Sequence, residues 1–325
     1  MNIFIEIPTW LGDAVMTTPA IENIVSKYPN CKLIIFGSLV STSLFKYHPN
    51  VIKIVVDESR KKGFRYFNLY NIAQDITVDL AFSFRKNFTT KFLMFFINAR
   101  KKFIYKRLDS NLDTHQVIRY NDFINNSLLI NENPKKLKIY IEEPFKDNTK
   151  SRLILGINPG ATYGSAKRWY PQEFAKTAIA LSSVYDIKIF GGPAEVDIAQ
   201  DIEKELQKAN IKNYQNLAGK TSVSELIAEI SHLDLFITND SGPMHVAAAF
   251  GIVTVSIFGP TRFIETHQWS NENEILIRKD LACSPCMKRV CPLTNDDEHH
   301  ACMKSITADD ILEILEKKNI INNEK

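Results

Sequence analysis

LFITNDSGPMHVAAAFGIVTVSIF, residues 235–258, reads as one complete structural unit. Leu235–Thr238 is a short apolar run of strand type. It breaks at Asn-Asp-Ser-Gly-Pro, where Pro243 suits the first turn of a helix. Met244–Phe250 is a helix of mostly small residues, and its AAAF stretch suits close packing. Gly251 ends it, and the β-branched run Thr254–Phe258 starts a second strand. A strand, a helix and a strand on short connections make a βαβ unit, which belongs to a parallel sheet covered on both faces.

Working outward, the same alternation fills the chain. After residue 150 it gives strands at Leu153–Asn158 and Ile187–Phe190 and helices at Pro171–Tyr185, Glu195–Ala209 and Ser222–His232. Thr307–Lys317 reads as a terminal helix, with Thr307 as N-cap and Asp310 three residues on. Before residue 130, strands are expected at Asn2–Ile7, Lys32–Phe36, Val51–Val56, Leu80–Phe84 and Lys101–Tyr105. Helices are expected at Ala14–Lys27, kinked or restarted at Pro19, near Ser41–Lys46, after Phe84 and at His115–Leu129. The polar stretch EEPFKDNTKSR, Glu142–Arg152, is the natural linker. The expected architecture is therefore α/β, with two Rossmann-like doubly wound domains, 1–148 and 149–325, facing a central cleft. Ligands of such sheets bind outside the carboxyl ends of the strands.

Each unusual loop falls at such an end. In PTWLGDAVMTTPA, Gly12 permits a sharp turn and Asp13 lies near a helix N-terminus, which favours an ionised carboxylate. Asp13 is either an N-cap or a general base. In PGATYGSAKRWYP, residues 159–171, small residues, the Thr162 hydroxyl and the cations Lys167 and Arg168 suit a diphosphate. Neither a Walker A ending nor a dinucleotide GxGxxG is present. FGGPAEVD places Glu195 where it either starts a helix or binds a ribose. In NDSGPMH, Asp240 would accept hydrogen bonds from sugar hydroxyls, Ser241 and Gly242 precede a helix start, and His245 is a scaffold or a phosphate contact.

Composition excludes several classes. With 45% hydrophobic and 24% charged residues the chain reads as globular, and a net charge of +3 does not argue for nucleic acid. The longest apolar run, Phe92–Ile97, is far shorter than the roughly 20 residues of a membrane span. MNIFIEIPTW lacks the basic n-region of a signal peptide, so a cytoplasmic protein is expected. Cations gather in RKKGFR (Arg60, Lys61, Lys62, Arg65) and RKKFIYKR (100–107), as a solvated surface or a landing site for an anionic partner at a membrane. Cys31 stands alone in a strand. Cys283, Cys286, Cys291 and Cys302 are spaced C-x2-C-x4-C-x10-C, open to a zinc site, with His299 and His300 as spare ligands, or to a reduced or redox-sensitive cluster.

Taken in order, IPTWLGDAVMTTPA, PGATYGSAKRW, NLAGKTS, NDSGPMHVAAA, FGPT and CSPCMKRVCP resemble the lipopolysaccharide heptosyltransferases of glycosyltransferase family 9 over nearly the whole chain. The second and last of these are more similar to the branch adding the second heptose than to the one adding the first. The resemblance implies a GT-B fold. It also implies an ADP-L-glycero-D-manno-heptose donor and a lipid A–inner core acceptor at the inner membrane surface, with peripheral membrane contact. By the same resemblance Asp13 is the base, and Thr162, Tyr163 and Lys167 hold the diphosphate. Glu195 meets the ribose, Thr221 lies on the adenine side, and Asp240 grips the heptose. Ser241, Gly242 and His245 lie near the phosphates. Acceptor-side positions diverge, leaving Arg60, Lys61, Lys62, Arg65, Arg85 and Lys86 as candidates for acceptor phosphate or ulosonic acid. No cofactor and no metal are expected, with Lys167 taking a divalent ion's role. Two other readings stand beside this one: a family 9 transferase with another nucleotide-sugar donor, and a non-catalytic nucleotide-sugar or glycolipid-binding protein. TNDDEHH, residues 294–300, departs from the family pattern as an insertion would.

Overall fold

A computed structural model describes residues 1–61, 63–107, 113–142 and 152–321. Lys62 and nearly all of the candidate linker lie outside the described residues. The chain divides into two compact units, Met1–Pro144 and Phe145–Lys325.

The first unit runs β1 (Asn2–Glu6), α1 (Leu11–Met16), α2 (Thr18–Lys27), β2 (Lys32–Gly37), α3 (Leu39–Thr42), β3 (Val51–Val56), α4 (Arg65–Gln74), β4 (Thr77–Ser83), α5 (Phe88–Phe96), β5 (Asn98–Ile104) and α6 (Gln116–Leu128). Its sheet has the order β3-β2-β1-β4-β5, and every pairing is parallel. Central β1 is apolar on both faces, with Ile3, Phe4 and Ile5 fully buried. Leu69 and Ala73 of α4, and Leu93 and Met94 of α5, pack one sheet face with Phe4, Phe36 and Ala81.

The second unit runs β6 (Leu153–Asn158), α7 (Pro171–Leu181), β7 (Tyr185–Ile189), α8 (Val196–Lys208), β8 (Tyr214–Asn216), α9 (Val223–Ser231), β9 (Leu235–Asn239), α10 (Gly242–Ala249), β10 (Val253–Ile257), α11 (Phe263–Thr266), β11 (Glu274–Ile277), α12 (Ala301–Lys304) and α13 (Ala308–Lys317). Its parallel sheet is ordered β11-β10-β9-β6-β7-β8. Ser222–Glu225 and Thr307–Asp310 form reciprocal capping boxes at the starts of α9 and α13.

The differences from the sequence reading are local. The segment near Pro19 is two helices, with the break at Thr17 and Pro19 in the first turn of the second, where its missing N–H costs nothing. The helix after Pro171 stops at Leu181, because Tyr185 already pairs with Leu153 as the first residue of β7. Helix α4 escaped notice: its Tyr, Phe and Asn content is a poor helix signal, and its first residue, Arg65, closes the basic run. The short edge strands β8 and β11 were missed too.

Candidate functional site

In each unit the strand order reverses beside the first strand, and such switch points open the crevices where ligands bind. In the second unit the switch lies between β6 and β9. The loop after β6 carries Lys167, and the loop after β9 carries Asp240. The two meet there, with Lys167 Nζ 2.5 Å from Asp240 Oδ2. Both side chains are largely buried, at 12% and 5% exposure, so the pair has far less solvent screening than a surface bridge. Thr261, after β10, donates to the same Oδ2 at 2.6 Å.

The loop after β6 is held by asparagines. Asn158 donates to Gly160 O, Thr238 Oγ1 and Ser241 Oγ. Asn239 donates to Pro159 O at 2.8 Å and accepts from the Trp169 backbone at 3.0 Å. Trp169 is 1% exposed, and its indole donates to Ile306 O. The loop is thus pinned at both ends, and Thr162 at its tip is exposed. Two cations lie over the Tyr163 ring, with Lys167 Nζ 4.8 Å and the Arg289 guanidinium 5.3 Å from its centroid.

Glu195 is 8% exposed and is the N-cap residue of α8, one carboxylate oxygen accepting from Gly192 N at 2.8 Å. Gly160 packs against that carboxyl so closely that a Cβ there would lie 2.1–2.3 Å from its atoms. The Gly160→Ala variant therefore must push Glu195 off the Gly192 N–H. Losing one charge-assisted bond costs about 1.5–3 kcal/mol, so urea unfolding of this variant is expected to show a stability loss of that size. Two residues before Thr221, Gly219 N donates to Gly191 O at 2.9 Å. Ser241 is the N-cap of α10 without a capping bond, and Gly242 is the helix's first residue. His245 is buried, its Nδ1 without a partner, and burial holds its pKa down at about 4, so the ring is neutral near pH 7.

In the first unit the switch lies between β1 and β4. Helix α1 after β1 carries Asp13 there, and the loop after β4 carries Arg85 and Lys86. The N-cap of α1 is Trp10, and Asp13 stands in the first turn, so the N-cap reading of Asp13 does not hold. Its charge helps raise the Tyr120 phenol well above its usual value, after burial as the main cause. Arg85 is not a free cation, because its guanidinium is 3.3 Å from the buried Glu6 carboxylate. Burial pushes the Glu6 carboxyl up, and Arg85, Ser83 and Thr90 oppose that. Lys86 and Arg60 are exposed; Lys61 pairs with Glu58; Arg65 begins α4.

The cysteine-rich segment braces the loop after β6. Arg289 O accepts from Ala166 N at 3.0 Å, and Met287 O accepts from the Tyr163 hydroxyl at 2.9 Å. Gly164 packs so tightly on the Arg289 carbonyl that a Cβ would lie 2.2 Å away. His300 is no spare ligand, as its ring nitrogens lie 2.9 Å from Ala166 O and 3.1 Å from the Tyr170 hydroxyl. The cysteines are free, and burial together with the other three thiols lifts Cys302 to about 11. Among the described residues no three His, Cys, Asp or Glu side chains converge to hold a metal.

Residues 96–296 match the profile of Glycosyltransferase family 9 (heptosyltransferase). The chain belongs to this family. The Campylobacter jejuni serotype O:6 protein named lipooligosaccharide heptosyltransferase 2 is 41% identical over 322 residues, covering 98% of this chain and 99% of that one. The structure of Escherichia coli ADP-heptose LPS heptosyltransferase II superposes with a TM-score of 0.79 at 22% identity, covering 98% of each chain. The family 9 glycosyltransferase from Veillonella parvula gives a TM-score of 0.78 at 21% identity, covering 97% of this chain and 96% of that one. The fold is GT-B, and the chain is a glycosyltransferase. Sequence reasoning found the family 9 loops but missed their supports. Asn158 looked like a strand end, Asn239 and Thr261 lay inside the motifs NDSGPMH and FGPT but were given no role, and Arg289 was hidden among cysteines.

Proposed function

We propose that this family 9 enzyme transfers heptose, with inversion, from ADP-L-glycero-D-manno-heptose to the inner-core heptose of a lipid-anchored acceptor. The observation that carries this reading is the buried Lys167–Asp240 pair at the switch point of the second unit. It sets a cation for a leaving diphosphate beside a carboxylate for sugar hydroxyls. Both bonds to the Asp240 side chain fall on Oδ2, so Oδ1 is left for the sugar.

Asp13 takes the proton of the acceptor hydroxyl as its oxygen bonds the anomeric carbon. The bond from that carbon to the ADP phosphate oxygen breaks on the opposite face. Lys167 and the N–H groups at the start of α10 stabilise the departing negative charge. Thr162 and Tyr163 flank the diphosphate, with Ser241, Gly242 and neutral His245 beside it. Glu195 takes the ribose through its second oxygen, and Thr221 lies toward the adenine. Exposed Arg60 and Lys86 are acceptor contacts.

The test is transfer itself. Enzyme, ADP-heptose and a heptose-terminated inner-core acceptor should give an acceptor heavier by one heptose in a mass spectrum. A thermal-shift panel of ADP-heptose, other ADP-sugars and UDP-sugars should show stabilisation by ADP-heptose above the rest. Transfer from a different sugar nucleotide alone would replace the donor assignment. Donor binding without transfer to any acceptor would reduce the chain to a binding protein.

A further inference from the structure

The outer faces of α4 and α5 in the first unit carry more apolar surface than a solvated helix pair should. Phe64 is 72% exposed, Phe67 61%, Phe88 70% and Phe95 74%. On α5, Phe88, Phe92 and Phe95 form one stripe at helical spacing, while Leu93 and Met94 face the core. The aromatic rings join the helices: Tyr66 is 5.0 Å from Phe92 and 5.9 Å from Phe88, and Tyr70 is 5.0 Å from Phe96. These are the rings of a continuous ridge, not scattered surface residues.

The charge around the ridge has one sign. Neither α4 nor α5 contains an acid, and each carries one cation, Arg65 and Lys91. Residues 58–107 hold twelve Lys and Arg against three Asp and Glu, although the whole chain is only +3, so the remainder is net acidic. Lys91 is exposed within the ridge, and Lys102 reaches back from β5 to donate to Phe95 O at 2.8 Å. The cations of β5 also suit a protected sheet edge, but that does not account for exposed phenylalanines on the helices. A second copy of the chain would bring like charges together around the same ridge. No helix among the described residues is long and apolar enough to cross a membrane.

We propose that the α4–α5 ridge is a membrane-docking surface, in which phenylalanines enter the interface of a bilayer and the surrounding cations meet anionic lipid headgroups. Both helices begin after parallel strands, β3 and β4, so the Phe64–Phe88 end lies at the sheet edge that carries Asp13 and Lys86. A lipid-anchored acceptor would be met at that edge. The proposal deepens the transfer reading, which supplies the reason for a bilayer.

The experiment uses the full-length protein and co-sedimentation with vesicles of phosphatidylethanolamine and phosphatidylglycerol, or of phosphatidylcholine alone. Binding to the anionic vesicles is expected to be at least about tenfold stronger than to the neutral ones, and to weaken with salt. The double variant Phe67→Ser/Phe95→Ser should bind about tenfold or more weakly at an unchanged melting temperature, since both rings are exposed. Lys91→Glu should weaken binding to the anionic vesicles only. Equal binding to both vesicles, or full binding by the double variant, would overturn the proposal. So would a dimer in sedimentation velocity that the double variant abolishes while vesicles bind neither protein. No donor or acceptor is present, so failed vesicle binding leaves heptose transfer standing, and failed transfer leaves the docking surface standing.

Discussion

Asp13→Asn is expected to lower heptose transfer by about 10³-fold, within the usual 10²–10⁴ range for a positioned base, while ADP-heptose binds within about threefold of the wild type. The substitution keeps the shape of the side chain and removes its basicity. Asp13 lies in the first unit and the candidate donor residues in the second, so a base for the acceptor should leave donor affinity alone. Its setting supports the role. Trp10 caps α1 without a side-chain bond, and Asp13 follows in the first turn, where the helix dipole favours a carboxylate. The buried Tyr120 beside it, with its phenol pushed well up, stays a neutral neighbour and does not compete as a base near pH 7. Single-turnover rates together with donor titration separate the two effects. Turnover within tenfold of the wild type would remove Asp13 from the chemistry, and a matching loss of donor affinity would make it a binding residue.

Much of this was legible in the sequence for a simple physical reason. A parallel strand buried on both faces must be an unbroken apolar run, so β1, β6 and β9 announce themselves. Loops at the ends of such strands must then carry the polar chemistry, which is why Asp13, Lys167 and Asp240 stood out. What stayed hidden depends on contacts between distant segments. The aromatic α4 has no clean helical pattern, because Phe67 and Tyr70 put large rings on its exposed face. Arg85 read as a free cation because its partner, Glu6, lies 79 positions away inside a strand. The role of the cysteine segment was obscured by its own spacing, which suggests metal. What its backbone does is brace Gly164 and Ala166 through Arg289 O.

Breaking the Lys167–Asp240 pair is expected to cost both stability and activity, and restoring neutrality should recover only the first. Lys167→Met leaves the Asp240 carboxylate 5% exposed with Thr261 as its remaining hydrogen-bond donor. Asp240→Asn leaves the ammonium beside Tyr163 with no anion. Each single variant should lose about 3 kcal/mol in urea unfolding, the low end of what a stranded buried charge costs. Lys167→Met/Asp240→Asn removes both charges, and its stability should return to within about 1 kcal/mol of the wild type, a coupling of several kcal/mol. Transfer should stay at least about 10²-fold down in all three, because the departing diphosphate has lost its cation or the sugar its acceptor. A pair that serves only the fold would behave otherwise, with the double variant regaining turnover along with stability. That single result would strip the donor assignment from the switch point of the second unit, whatever the sequence resemblance.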